Sequence, residues 1–122
     1  MRLRLEQPLA REPDLVLARL RDPLSYAANP RVRALRPWRQ GFRCLEQVAG
    51  PIWMPVYVAV LPIEGGVELR ARAPLTRIVG RLTVLSDRLV DELEVRVPAP
   101  LEAFAEARLR RSHEAMLRAL AS

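Results

Sequence analysis

The chain has 122 residues, half of them hydrophobic and 28% charged, a balance that excludes disorder and fits one domain with its own core. Twenty basic residues against 14 acidic give a net charge of +6, and every basic residue is an arginine. A single asparagine (Asn29) and a single cysteine (Cys44) exclude an internal disulfide and fit a heat-adapted composition.

The opening MRLRLEQPLA has no apolar run of the secretion-signal kind, and the longest apolar stretch, 51–63, holds three prolines and is too short to cross a bilayer. A soluble, cytoplasmic, reduced protein is expected. Leu3 and Leu5 alternate with Arg2, Arg4 and Glu6, the period of a half-buried strand over 2–7, which Pro8 closes. A helix is predicted over 12–21, with Pro13 at its first position, Asp14 in its first turn, and an apolar stripe of Val16, Leu17 and Leu20. Asp22-Pro23 starts a second, short helix over 23–28 with Asp22 as its cap, and Pro30 ends it at Asn29.

From Val32 to Val97 the pattern is that of strands: 32–37, 42–49, 53–62, 67–73, 77–85 and 89–97. The breaks are Gln40-Gly41, Gly50-Pro51, Glu64-Gly65-Gly66, Ala73-Pro74 and Ser86-Asp87. Such short gaps predict an antiparallel meander. One helix over 100–121 follows, with Leu101, Phe104, Ala105, Leu109, Met116 and Leu120 on one face and the pairs Glu106–Arg110 and Glu114–Arg118 on the wet side. A six-stranded meander leaves an apolar face that this helix must cover, and the first strand can join beside the last. The fold class is α+β, a curved seven-stranded antiparallel sheet around a long C-terminal helix, in one domain over 1–122, in the order β-α-α-β-β-β-β-β-β-α.

Pro13, Val16, Leu20, Asp22-Pro23 and Asn29-Pro30 with Val32, in the segment EPDLVLARLRDPLSYAANPRV, carry a resemblance, together with the Gly50-Pro51 turn and Leu101, Phe104, Leu109 and Met116 of the long helix. In these the chain resembles the START-like helix-grip superfamily of lipid-transfer domains, pollen-allergen-like proteins and polyketide cyclases/aromatases. The resemblance implies a cavity between sheet and helix that often holds an apolar ligand. The chain is shorter than most members and has the lone Gly41 where the pollen-allergen branch has a glycine-rich loop, so a small cavity is expected.

The candidate ligand-binding residues are Arg108, Ser112, His113, Phe104, Leu109, Met116, Tyr57 and Asp91. Arg108, Ser112 and His113 share an arc of the last helix and would orient the polar end of a small apolar or amphipathic molecule. An inward Arg108 needs a partner. Asp91, which breaks the alternation of Leu89, Leu93 and Val95, is the candidate; otherwise Arg108 snorkels outward. His113 with Asp91 is also the only acid/base pair available to a cyclase or hydratase. No catalytic residue is assigned, and no cofactor or metal is expected: GxSxG, P-loop and GxGxxG motifs are absent, and one His with one Cys cannot build a four-ligand zinc site alone. Cys44 reads as a small core residue.

The apolar strand of Trp53, Met54 and Tyr57 reads as core, otherwise as cavity lining or a face covered by a second subunit, and the alternative function is a protein-interaction platform with a collapsed cavity, with a homodimer as one partner. The segment 31–43 holds Arg31, Arg33, Arg36, Arg39 and Arg43 interleaved with Trp38 and Phe42, and no acid occurs from 23 to 45. It reads as an edge hairpin kept soluble by its arginines, with nucleic acid or an anionic membrane as the partner it would otherwise take.

Overall fold

The computed structural model describes all 122 residues. Strand β1 (Arg2–Pro8) turns Leu3 and Leu5 inward and its charged residues outward. Helix α1 (Pro13–Arg21) begins at a proline whose missing N–H costs nothing there, and buries Val16 and Leu20 at i, i+4. The Asp22 carboxylate accepts the Leu24 N–H at 3.0 Å and caps the next segment, Pro23–Ala28. That segment winds as a 3₁₀ helix, the usual form for so short a piece.

Six strands follow: β2 (Val32–Trp38), β3 (Gly41–Ala49), β4 (Ile52–Ile63), β5 (Gly66–Ala73), β6 (Thr76–Val84) and β7 (Arg88–Arg96). They form one antiparallel sheet in the order β1-β7-β6-β5-β4-β3-β2, a meander closed by β1 against β7. In β2, Ala34 has φ 56° and the register slips between Arg33 and Arg36, a bulge that residue alternation does not disclose.

A single 3₁₀ turn (Ala99–Leu101) leads into α2 (Glu102–Ala121), roughly 30 Å long at 1.5 Å per residue. Burial begins only at Ala105. Leu101 and Phe104 are 38% and 52% exposed, so the expected apolar face is corrected at its start: the first turn projects beyond the sheet that covers the rest. Glu106 and Arg110 pair at 3.1 Å, whereas Glu114 and Arg118 form no pair.

The concave face holds two apolar clusters. The larger joins Val16 and Leu20 of α1, the valines of β4, Leu82 and Leu89 of the sheet, and Met116, Leu117 and Leu120 of α2. The smaller joins Leu3, Leu93, Val95 and Leu109. On α2 the stretch between Leu109 and Met116 carries Ser112 and His113, so polar side chains sit where the two clusters divide. Arg19 of α1 fastens the far end of α2 by donating to the carbonyls of Leu120, at 3.1 Å, and Ser122. No helix is long and apolar enough to cross a membrane.

Leu117 has 1% of its surface exposed. Leu117→Ala should therefore lower unfolding free energy by roughly 2–5 kcal/mol, while Phe104→Ala should cost less than about 1 kcal/mol. Urea denaturation of the two variants checks which face of α2 the sheet grips.

Candidate functional site

A cavity lies between the concave face of the sheet and the middle of α2, with a volume of about 60 Å³. Its walls are mostly apolar, including Phe42, Val56, Val58, Leu69 and Ile78 from the sheet and Met116 from α2. Arg108, Ser112 and His113 enter from α2, Glu46 from β3, and Tyr26 and Asn29 from the 3₁₀ segment and its end. Gly80 lies on the floor. A Cβ there would stand 2.8 Å from Leu93 Cδ2 and 3.5 Å from Asp91 Oδ1, so glycine leaves room for both side chains.

Two charge pairs define the polar end. His113 Nδ1 lies 2.6 Å from Asp91 Oδ2, and Asp91 has no exposed surface. Arg108 Nη1 donates to Glu46 Oε1 at 3.0 Å, with the arginine side chain 4% exposed. The expected partner of Arg108 was Asp91, and this is corrected. Asp91 projects from β7 beneath His113, and Glu46 reaches Arg108 from β3. Glu46 shares the inward parity of Phe42 and Cys44, a signal readable in the strand itself.

Burial opposes charge on His113, but the Asp91 carboxylate and its hydrogen bond outweigh that and raise the imidazole pKa above its ordinary 6.5. Nε2 of His113 makes no hydrogen bond within the protein, and the ring is among the side chains that line the cavity, with Nδ1 held by Asp91. Asp91 Oδ1 is buried without a hydrogen-bond partner. Burial lowers the Arg108 pKa, partly offset by Glu46, and the nearby charge of Arg31 lowers it further.

The supporting groups are neutral. Tyr26 stacks on Phe42 at 5.2 Å and donates its hydroxyl to the Leu20 carbonyl at 2.6 Å; burial, then the Asp91 charge, push its pKa up. Asn29 donates to the Ser112 carbonyl at 3.3 Å and tethers the 3₁₀ segment to α2. Burial, then Glu46, push the Cys44 thiol up to about 12, so it carries no thiolate and is no nucleophile. No three side chains among His, Cys, Asp and Glu converge on a metal position.

Of the residues singled out in the sequence, Arg108, Ser112, His113 and Met116 line the cavity, with Asp91 directly behind His113. Leu109 does not; it packs into the smaller cluster against Leu3, Leu93 and Val95. Phe104 and Tyr57 lie outside. Phe104 precedes the gripped part of α2, and Tyr57 follows the outward parity of β4, between inward Val56 and Val58. Glu46, Asn29 and Tyr26 were not among the residues singled out for this site.

The fold is shared with solved structures of low sequence identity. An aromatase/cyclase from Streptomyces sp. R1128 is 21% identical with a TM-score of 0.79, over 98% of this chain and 90% of its own. A protein of Thermus thermophilus is 18% identical with a TM-score of 0.77, over 98% and 94%. Norcoclaurine synthase of Thalictrum, solved with a transition-state analogue, is 11% identical with a TM-score of 0.62, over 98% and 93%. No protein-family model and no curated protein matches the sequence. These likenesses establish the helix-grip fold.

Because the folded pKa of His113 is raised, the pair with Asp91 contributes fully below the unfolded value near 6.5 and is lost as pH rises through the folded value. His113→Gln leaves the buried Asp91 carboxylate without its cation, at a cost of roughly 3–5 kcal/mol. The melting-temperature gap between the parent and this variant should be widest below pH 6.5 and narrow as pH rises. An NMR titration of the single histidine locates the midpoint.

Proposed function

We propose that the protein binds a small, ring-sized apolar molecule carrying a neutral oxygen, non-covalently, in the cavity between the sheet and α2. The observation that carries this reading is the polar end itself. Two ion pairs buried in an apolar cavity stabilise a fold less than well-packed hydrophobic side chains do, so their presence there calls for another reason. His113 and Arg108 are balanced by Asp91 and Glu46, which leaves no net charge to attract an anion. A protonated imidazole with Nε2 free is instead a strong donor to a carbonyl or phenol oxygen.

The size of the cavity restricts the ligand. About 60 Å³ is well below the roughly 300–1,000 Å³ of drug-sized sites. Met54 and Met116 line it, and their flexible side chains are the walls most easily moved to admit a ring. The helix-grip fold, shared with an aromatase/cyclase, supports a reading in which the space between sheet and helix is the working part. The single buried thiol fits a reducing compartment such as the cytoplasm.

The test is calorimetric titration with acetophenone and with toluene, a ring of similar size without the oxygen. Acetophenone should bind about tenfold or more tightly than toluene, from one hydrogen bond to a charged donor. His113→Gln should remove most of that preference, and Ala71→Leu, which extends a lining side chain, should remove binding of both. Absence of heat with either compound, together with an unmoved His113 resonance, would favour an interaction platform, including a homodimer, with the cavity closed.

A second reading is favoured by the 2.6 Å His113–Asp91 contact. A histidine oriented by a buried carboxylate is an acid/base group able to take a proton from carbon next to a ligand carbonyl, the first step of an aldol-type ring closure. In heavy water the α-protons of bound acetophenone should then exchange for deuterium. The rate should rise as pH passes the raised His113 pKa and vanish in His113→Gln. Exchange no faster than in buffer rejects catalysis and leaves binding.

A further inference from the structure

The outer, convex face of the sheet carries a feature unrelated to the cavity. Strand register places Arg36 opposite Arg43, Arg43 opposite Tyr57, Tyr57 opposite Arg72, Arg72 opposite Arg77, and Arg77 opposite Arg96. One continuous row thus crosses six strands with five arginines and a tyrosine, all of them exposed. None of the five guanidinium groups makes an ion pair or hydrogen bond in the protein. At about 4.8 Å between strands the row is roughly 24 Å long.

Like charges directly opposite one another on a sheet are destabilising. A row nearer the other end of the same face avoids this. There Arg4, Glu92, Arg81 and Glu68 follow one another across β1, β7, β6 and β5 with alternating sign, and Arg4–Glu92 and Arg81–Glu68 form ion pairs at 3.3 Å. A compositional preference for arginine accounts for which cation is used. It does not account for the absence of carboxylates from these six outward positions when Glu68, Glu92 and Glu94 stand elsewhere on the same face.

Aromatic side chains accompany the unpaired arginines. Trp38 and Tyr57 lie 5.8 Å apart and are 36% and 38% exposed. The Arg39 and Arg43 guanidinium groups stand 5.5 and 5.2 Å from the Trp38 ring centre. Two shallow hollows meet at Tyr57 and Arg72, one running to Trp38 and Arg39 and the other to Arg77 and Arg96, and neither has a carboxylate in its lining. Arg31, grouped with these arginines in the sequence, is not part of the row. It is half-buried and donates to the Gln47 carbonyl at 3.3 Å.

We infer that this row is a binding track for single-stranded nucleic acid. Guanidinium groups match phosphate oxygens in bidentate geometry, and a line of them suits a linear polyanion. Trp38 and Tyr57 offer faces on which unpaired bases stack. A duplex hides its base faces and gains nothing from the aromatics. An anionic membrane is the competing occupant, since Leu75 protrudes at 72% exposure from the turn between the strands that carry Arg72 and Arg77. Against it, Leu75 is a single aliphatic side chain, and the rest of the row is guanidinium and partly covered aromatic.

Fluorescence anisotropy with a labelled oligothymidylate of about 10 nucleotides tests the track. Binding is expected at low salt, with log K falling against log salt at a slope near −3.5 for five phosphate contacts. Arg72→Glu with Arg77→Glu should weaken it at least tenfold and flatten the slope by about 1.4. Tyr57→Ala should weaken it about tenfold with the slope unchanged. Arg2→Glu with Arg81→Glu makes the same charge change outside the row and should leave affinity within about twofold; circular dichroism confirms folding of each variant. His113→Gln should not affect this binding, which separates it from any failure of the cavity reading. The inference is overturned by no binding at low salt, by equal loss in the Arg2/Arg81 variant, by a blunt duplex binding as tightly as the single strand, or by capture on phosphatidylserine vesicles that the oligonucleotide does not compete.

Discussion

Asp91 has no exposed surface, and a carboxylate in that position has to be compensated. It stands on the inward parity of β7, between Leu89 and Leu93, where the strand otherwise buries only apolar side chains. Compensation comes from α2, which brings His113 to 2.6 Å. That one contact sets the rotation of the helix against the sheet. With His113 facing Asp91, Arg108 and Ser112 also face inward, Leu109 and Leu117 fall into the two apolar clusters, and Arg110 and Arg118 are left in water. Gly80 completes the arrangement from the neighbouring strand, because any side chain there would press on Leu93 and crowd Asp91.

The cavity follows from the same contact. Two ion pairs between helix and sheet hold the elements apart across a stretch where apolar side chains would otherwise interlock. What separates the larger cluster from the smaller is therefore a gap with a polar end. The neutral balance of Arg108, Glu46, His113 and Asp91 makes the gap tolerable to the fold.

Much of this is legible in the sequence, because a sheet that buries one face reports itself through alternation. Asp91 was readable as inward from the break it makes in Leu89, Leu93 and Val95, and the whole strand order follows from short turns. Three things were not readable. Which carboxylate meets which cation depends on the helix's axial placement, so Arg108 pairs with Glu46 although Asp91 had seemed available. Where burial begins on α2 depends on how far the sheet extends; periodicity alone groups Phe104 with Leu109, yet only Leu109 is covered. Tyr57 sits in a run of apolar residues long enough to hide its parity, and only the neighbouring valines, seen buried, assign it to the outer face.

The outer face obeys the same parity rule with the opposite consequence. Inside, the charges of the cavity are matched within a few ångströms, because an unmatched one would cost several kcal/mol. Outside, water screens the charges, so the sequence is free to leave arginines unmatched at modest cost. That freedom explains how a row of five can exist and not why it crosses six strands without a single carboxylate. The register that makes the row continuous also brings Glu68 and Glu92 to either side of Arg81, so both patterns arise from one set of turns. Keeping carboxylates out of this one row therefore required choices at positions on five different strands. Those positions have no common role in packing, and the property they share is the potential along one line of the surface.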